Sequence, residues 1–449
     1  MATLTNRMEL NVADTISLAG ELMRAARFED AEQVLRSAVK AEPNDMNALH
    51  ALAVSLIEQE LPSKCEEAVA LLTRAGIMCR DEMVAISCNM GKALAEVGRT
   101  AEAQNAFQSV LTSYPDHLIA KYGRGLMKMQ RGKYSDAVTD FSSVLDRDST
   151  NDKARFARGF CNLVLGNYLE GFQDYEHRLK DDLAPISSPL WDGTQDLVGK
   201  TILIHGEQGH GDDIMFLRYA PLLQQRGARV LVVLHPGIGP LVDPQSKITV
   251  LTEDRSTWPH FDYWIRMMSL AGAFGTAIET VPPPLKINLP PSIKNNRLRI
   301  GLCWAGGLKS RYDAHRSIPL AMFESLVNSI DADFISLQVG VRDRDRPALD
   351  RMGLTDFTPQ DFGETAQVIN KLDLVITCDT SVAHLAGSIG VPTLVLLTSF
   401  RTYWLWIQGL DRSPWYPSVK VLQQKSEGDW AEVIGRVRHN ILLMTAKAA

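Results

Sequence analysis

Three short stretches of this chain combine glycines, carboxylates, hydroxyls and cations at spacings that suit polar chemistry. The first is Gly206-Glu207-Gln208-Gly209-His210-Gly211-Asp212-Asp213. Its three glycines let the backbone approach a ligand closely, and its carboxylates stand at the start of a helix predicted to begin near Ile214. The helix dipole keeps a carboxylate there ionised, so Asp212 can serve as a general base on an acceptor hydroxyl. An ordinary N-cap accounts for the same residue, and Asp213 could equally be that cap. The glycine spacing is not GxGxxG, so a dinucleotide fingerprint is unsupported.

The second stretch, Trp304-Ala305-Gly306-Gly307, leads into a polar loop with Lys309, Arg311, His315 and Arg316. Glycines beside cations suit a diphosphate, and a solvated basic loop is the alternative. The third, Cys378-Asp379-Thr380-Ser381-Val382-Ala383-His384, ends a strand and caps a helix whose first N–H groups can hold phosphate oxygens. Asp379 can instead accept from ribose hydroxyls, and His384 is either a packing residue or part of the site. Metal-dependent chemistry has some spelling in its favour at Asp146-Arg147-Asp148, Asp331-Ala332-Asp333 and Asp343-Arg344-Asp345. None of these ends a glycine-rich strand, so all three are read as solvated surface and no metal site is expected. The aromatic residues Tyr403, Trp404, Trp406, Trp415 and Tyr416 can stack on a base or sugar, or fill a core; core packing is the preferred reading.

The elements that must position these stretches follow a parallel α/β grammar. Predicted strands are Thr201–His205, Arg229–His235 and Ile248–Thr252, then Leu298–Trp304, Asp333–Gln338, Leu372–Cys378 and Thr393–Leu397. Pro282, Pro283, Pro284, Pro290 and Pro291 separate the two series. Two Rossmann-like lobes with a cleft between them are expected, since ligands gather at the carboxyl ends of parallel strands. Pro221 should kink or end the helix that follows Asp212.

A different grammar fills the first part of the chain. Gly91, Gly125 and Gly159 are 34 residues apart, as are Ala103, Ala137 and Gly171, and Phe107, Phe141 and Tyr175. The turns Gly98-Arg99, Gly132-Lys133 and Gly166-Asn167 keep the interval, and looser copies centre on Ala31 and Ala68. Pro43 and Pro115 stop second helices. Each unit reads as two amphipathic helices with small residues where they cross and an aromatic opposite. Residues 8–181 resemble the tetratricopeptide repeat, whose stacked superhelix usually binds polypeptide. Packing on the next domain or dimerisation is the other use of such an array. Residues 182–198, with two prolines and no helical period, read as a linker.

The whole composition fits a folded, soluble, multidomain protein. The chain has 449 residues, 45% hydrophobic and 22% charged, with a formal net charge of -6. That balance argues against nucleic acid or an anionic membrane as partner, and no apolar run is long enough to span a bilayer. Cys65, Cys79, Cys88, Cys161, Cys303 and Cys378 form no CxxC pair and read as reduced core thiols. The stretch from Met1 to Asp14 is polar where a leader peptide needs an apolar run, so a cytoplasmic location is expected.

The strings Trp-Ala-Gly-Gly at 304–307, Arg-Ser-Ile-Pro-Leu at 316–320 and Asp-Thr-Ser-Val-Ala-His-Leu-Ala-Gly at 379–387, with Gly-His-Gly-Asp at 209–212, resemble glycosyltransferase family 9, the ADP-heptose heptosyltransferase-like group. The resemblance spans roughly residues 199–445 and extends to Ser413-Pro414-Trp415-Tyr416-Pro417 and Asp429-Trp430. Joined to repeats, the layout is also similar to O-GlcNAc transferases. It implies an all-α tetratricopeptide superhelix followed by a two-lobed, Rossmann-like GT-B transferase, with an acceptor lobe at 199–296 and a donor lobe at 297–449. It further implies inverting transfer from a nucleotide-sugar, which is a substrate, with no cofactor or metal. Asp212 would be the base, with Gly209, His210 and Gly211 on the acceptor side. Gly306, Gly307, Arg316, Asp379, Thr380, Ser381 and His384 would bind the donor.

Some positions depart from the family. The phosphate cation is Arg316 where relatives typically carry Lys, His210 stands where many carry an apolar residue, and the first lobe is short. The acceptor expected on this likeness is a protein recruited by the repeats, such as a bacterial surface or flagellar subunit. A lipid-linked or saccharide acceptor, and a non-catalytic scaffold, are the competing readings. Oligomeric state, sugar and nucleotide are left open.

Overall fold

The computed structural model describes residues 11–78, 83–178, 186–292, 297–307, 313–400 and 402–448. Cys79, Lys309 and Arg311 of the sequence reading lie outside the described residues. The chain divides into two compact units, 1–158 and 159–449.

The first unit is a run of paired helices: α1 (Val12–Arg24), α2 (Phe28–Ala41), α3 (Met46–Ile57), α4 (Pro62–Met78), α5 (Met83–Glu96), α6 (Thr100–Ser113), α7 (Leu118–Gln130) and α8 (Tyr134–Leu145). The 34-residue register has a steric cause. Phe107 of α6 fills the space left by Gly91 of α5 and Gly123 of α7, and a Cβ on Gly91 would lie 2.6 Å from its ring. Phe141 does the same against Gly125, where the added Cβ would be 2.7 Å away. Ala31, Ala68, Ala103 and Ala137 are fully buried where helices cross. Gly98 and Gly132 turn the chain at φ of 78° and 71°, a left-handed conformation that costs glycine little. Helices α2 and α6 end two residues before Pro43 and Pro115, as expected.

The division at 158/159 falls within α9 (Asp152–Val164), so α10 (Tyr168–Tyr175) belongs to the second unit. There it is followed by two parallel sheets. The first has the order β3-β2-β1-β4, from β1 (Thr201–His205), β2 (Arg229–Val233), β3 (Ile248–Leu251) and β4 (Tyr263–Arg266). The second runs β6-β5-β7-β8-β9, from β5 (Leu298–Cys303), β6 (Ala332–Ser336), β7 (Leu374–Cys378), β8 (Thr393–Leu397) and β9 (Val419–Gln423). Central strands such as Leu374–Cys378 are buried along their length, because helices cover both faces of a parallel sheet. Between and after the strands come α11 (His210–Phe216), α12 (Ala220–Gln225), α13 (Leu270–Ala273), α14 (Asp313–Arg316), α15 (Glu324–Val327), α16 (Arg346–Arg351), α17 (Phe362–Ile369), α18 (Ser381–Ile389) and α19 (Trp430–Ala448).

All seven expected strands form, two with the expected ends and the others within two residues of them, and β4 and β9 are additional. Both are edge strands with mixed polar and apolar residues, so they lack the apolar run that marks a buried strand. Helix α11 starts at His210, four residues before the expected Ile214. A 3-10 turn over Leu217–Tyr219 then leads to α12, with Pro221 in its first turn, as the proline required. The part of 182–198 that is described is folded onto the first sheet. Trp191 is buried, its backbone N–H donates to Trp264 O (2.8 Å), and its ring meets Phe274. One buried tryptophan outweighs the turn-like composition around it.

Helix α10 is bound into the second unit by aromatics and by one ion pair. Phe172 meets Trp404 edge-on at 5.5 Å between centroids, and the Trp415 indole N–H donates to Tyr168 Oη (2.6 Å). Just beyond α10, Arg178 donates to both oxygens of Glu207, Nη2 to Oε1 at 2.6 Å and Nε to Oε2 at 3.0 Å. The two side chains are 1% and 4% exposed.

Two stability predictions arise from these contacts. Phe107→Ala removes the ring from between two glycines and should cost about 3–5 kcal/mol, read by urea unfolding in far-UV circular dichroism. Glu207→Ala removes the buried partner of Arg178, leaving it Glu176, Ser269 and the Tyr175 carbonyl, and should cost about 1.5–3 kcal/mol. All eight tryptophans lie at or beyond Trp191, so their fluorescence reports that second loss alone.

Candidate functional site

The strand orders themselves say where a ligand should go. In the first sheet β1 lies between β2 and β4, and in the second β5 lies between β6 and β7. Connections leave in opposite directions at such points, opening a crevice at the carboxyl ends. The loops there are the three glycine-bearing stretches singled out in the sequence, and they line one cleft of about 600 Å³ in the second unit. Gly209, His210, Gly211, Asp212, Gly306, Gly307, Arg316, Asp379, Thr380, Ser381 and His384 all reach it. Volumes of this order hold ligands of cofactor size.

Asp212 and Asp213 have separate surroundings. Asp213 is fully buried and accepts from the His235 backbone N–H (2.7 Å) and Nδ1 (2.9 Å). That ion pair raises the His235 pKa. The N-cap of α11 is Gly209, so neither aspartate is the N-cap residue, and Asp212 takes part in the cap from the N3 position. Asp212 is half-buried on the cleft wall. Its Oδ2 accepts from the Gly209 N–H (3.0 Å) and its Oδ1 from the Tyr403 hydroxyl (2.6 Å). The helix dipole alone would keep this carboxylate ionised, but burial dominates and pushes its pKa up to about 7. Bonds from Tyr403 and Gly209 pull the other way, while the charges of Asp213 and Glu207 add to the rise.

Opposite stand the cation and the helix terminus. Arg316 Nη1 donates to the Asp379 backbone O at 2.9 Å. Gly306 is required for this, since a Cβ there would run into the guanidinium. Thr380 is the N-cap of α18 but its side chain does not cap it. Its Oγ1 instead meets Thr377 Oγ1 (3.0 Å) and Cys303 Sγ (3.7 Å). The start of α18 is therefore left without a side-chain acceptor, which suits an anion. The Asp379 carboxylate accepts from the Trp406 indole N–H (2.9 Å), and burial raises its pKa.

His384 is buried, with Nδ1 3.1 Å from Tyr416 Oη. Burial, aided by the Arg218 charge, drops its pKa to about 3, so the ring is neutral. Gly211 lets α11 approach it; a Cβ there would be 2.8 Å from His384 Cδ2. On the other wall His210 lies against Phe362 (5.4 Å, 25° between planes) and His235 (5.1 Å). His315 is set apart from the cleft lining, stacked on Phe400 at 4.3 Å.

Two sequence readings need correction. Core packing holds for Trp404, Trp406, Trp415 and Tyr416, which are buried, but Tyr403 lines the cleft and donates to Asp212, and the buried Trp406 indole donates to Asp379. Only the partners of Tyr403 and Trp406 reveal this, and no local signal separates them from Trp404. Asp345 was read as solvated surface but is buried, accepting from Trp304 Nε1 (3.1 Å) and the Leu320 N–H (3.1 Å). Among the described residues no three His, Cys, Asp or Glu side chains gather as a metal-binding group. The five described cysteines are buried and none is in a disulfide. No described helix is long and apolar enough to cross a membrane.

The chain is 26% identical over 446 residues to Protein FlbA of Caulobacter vibrioides, covering 88% of this chain and 73% of that protein. A solved tetratricopeptide repeat protein of Parabacteroides merdae is 24% identical with a TM-score of 0.31, covering 37% of this chain and 64% of its own, just under two thirds. A thermophilic repeat protein of Thermus thermophilus is 17% identical with a TM-score of 0.33, covering 38% of this chain and 91% of its own. The tetratricopeptide repeat family model matches residues 88–152. That match falls on α5–α8, where the 34-residue register and the glycine–phenylalanine contacts lie, and this part of the chain is a tetratricopeptide repeat array.

Proposed function

We propose that this chain is an inverting, metal-independent glycosyltransferase of GT-B type. In this reading it moves a sugar from a nucleotide-sugar donor to an acceptor hydroxyl on a polypeptide recruited by the repeats. The observation that carries the reading is one cleft holding a carboxylate tuned to about pH 7, Asp212, together with Arg316 and the uncapped start of α18. The likeness of the cleft-lining strings to glycosyltransferase family 9 supports it, and tetratricopeptide repeats suggest a protein partner.

The geometry fits displacement at an anomeric carbon. Asp212 takes the proton of the acceptor hydroxyl as its oxygen attacks. The bond from the anomeric carbon to the phosphate oxygen breaks, and the electron pair leaves with the nucleotide. Arg316 and the N–H groups at the start of α18 receive the charge that develops there. The base must be ionised to act, and below its pKa it is protonated. Activity therefore rises with pH through about 7, unlike that of an ordinary exposed carboxylate, which is ionised well below that pH.

Three outcomes test this. Asp212→Asn should lower kcat by about 100- to 10,000-fold while nucleotide binding, followed by calorimetry, persists. The profile of log kcat/KM against pH should bend near pH 7 and fall with unit slope on the acid side. Arg316→Ala should weaken nucleotide binding by about 1.5–3 kcal/mol, with EDTA changing neither protein. Full transfer by the Asp212 variant would remove this residue as the base. Failure of ADP, GDP, UDP and CMP all to bind would remove the donor site.

A further inference from the structure

Resting on the transferase reading, we propose that Tyr403 is a placeholder. Its hydroxyl sits on Asp212 where the acceptor hydroxyl must sit, keeping water off the base until the acceptor displaces it, so that it sets the preference for transfer over donor hydrolysis.

The argument starts from what an open base would do. With a donor bound, any water hydrogen-bonded to Asp212 is a nucleophile. Its proton goes to the carboxylate, its oxygen bonds to the anomeric carbon, the bond to phosphate breaks, and free sugar and nucleotide result. An enzyme that waits for a large acceptor needs that position filled in the meantime. In this structure it is filled by a hydroxyl bonded as the nucleophile would be, with Tyr403 Oη donating to Asp212 Oδ1 at 2.6 Å. The other oxygen is held by the Gly209 N–H at 3.0 Å, so the carboxylate is fixed while its Oδ1 is covered. A charge-assisted bond of this length is strong enough to exclude a loosely held water.

The mounting of Tyr403 suits displacement. The residues around it, 402–407, form turns between β8 and β9 and no regular element. The segment is pinned just after Tyr403, by Trp404, fully buried among the aromatics, and by Trp406, whose indole holds Asp379. Tyr403, immediately before these anchors, is half-buried and faces the cleft. Rotation of this one side chain frees the base with the anchors in place. The phenol does not compete as a base, because burial and the Asp212 charge raise its pKa well above the usual value.

The experiment uses the full chain and Tyr403→Phe, which keeps the ring and removes the hydroxyl. Calorimetry with ADP, GDP, UDP and CMP identifies the nucleotide that binds. Release of that nucleotide from its conjugate (ADP-glucose, GDP-mannose, UDP-N-acetylglucosamine or CMP-N-acetylneuraminate) is then followed without acceptor. Tyr403→Phe should release it at least tenfold faster than the parent protein, and adding Asp212→Asn should abolish the gain. Equal release by the two proteins, with nucleotide affinity retained in the variant, overturns the placeholder role and leaves the transferase reading standing. So does a sugar found on Tyr403 by mass spectrometry, which would make it an acceptor. If the variant loses nucleotide binding, Tyr403→Met is measured in the same way; loss in both marks a packing residue and overturns the proposal. Failure of all four nucleotides to bind the parent protein instead removes the transferase reading, and the placeholder with it.

Discussion

The Arg178–Glu207 pair is the contact on which the geometry of the second unit turns. Glu207 belongs to the loop after β1 that carries Asp212, and its Oε1 also accepts from the Met268 N–H just beyond β4. A single carboxylate thereby joins the carboxyl ends of the two strands that flank the crevice to the end of the last repeat helix. The next residue, Gln208, is held at a φ of 63°, and its amide lies 3.3 Å from Tyr175 Oη of α10. A non-glycine residue keeps such a backbone only when its surroundings fix it. Helix α10, by sequence the end of a repeat, thus acts as a brace for the loop that carries the candidate base.

Around that brace, burial outweighs the other influences on charge. At Asp212 the helix terminus and two hydrogen bonds favour the ionised form, yet desolvation with two neighbouring carboxylates prevails. At His384 burial and the nearby Arg218 act together and leave the ring neutral. Arg218 itself lies between the Trp415 and Tyr416 rings, about 5 Å from each centroid, and donates to the carbonyls of Pro282 and Trp415. The cleft thus has a neutral imidazole, a carboxyl balanced near neutrality and the Arg316 guanidinium held on the Asp379 carbonyl. Charges in such a site act at short range and with little screening.

The helical array obeys a simpler constraint. Its register is set by which positions have no side chain, because Phe107 and Phe141 occupy volume that Gly91, Gly123 and Gly125 vacate. Packing density leaves no room for a second solution. This is why a period of small residues and aromatics could be read directly from the chain, and why the turns at Gly98, Gly132 and Gly166 keep the same interval.

What the residue order determined by itself was local: the repeat register, the strands buried in the two sheets, the glycine-rich strand ends, and the identity of Asp212, Arg316 and Asp379 as side chains standing at those ends. Each rests on neighbours within one or two elements, where period and turn chemistry leave a trace. The tertiary structure decided the rest. It paired Tyr403 with Asp212 and Trp406 with Asp379, buried Asp345 under Trp304, fixed Arg178 to Glu207, and recruited the polar edge strands β4 and β9. It also reversed the expected charge preference of Asp212, since desolvation depends on everything packed around a group. Contacts between residues as far apart as 212 and 403 depend on how distant elements meet, and no pattern along the chain encodes that meeting.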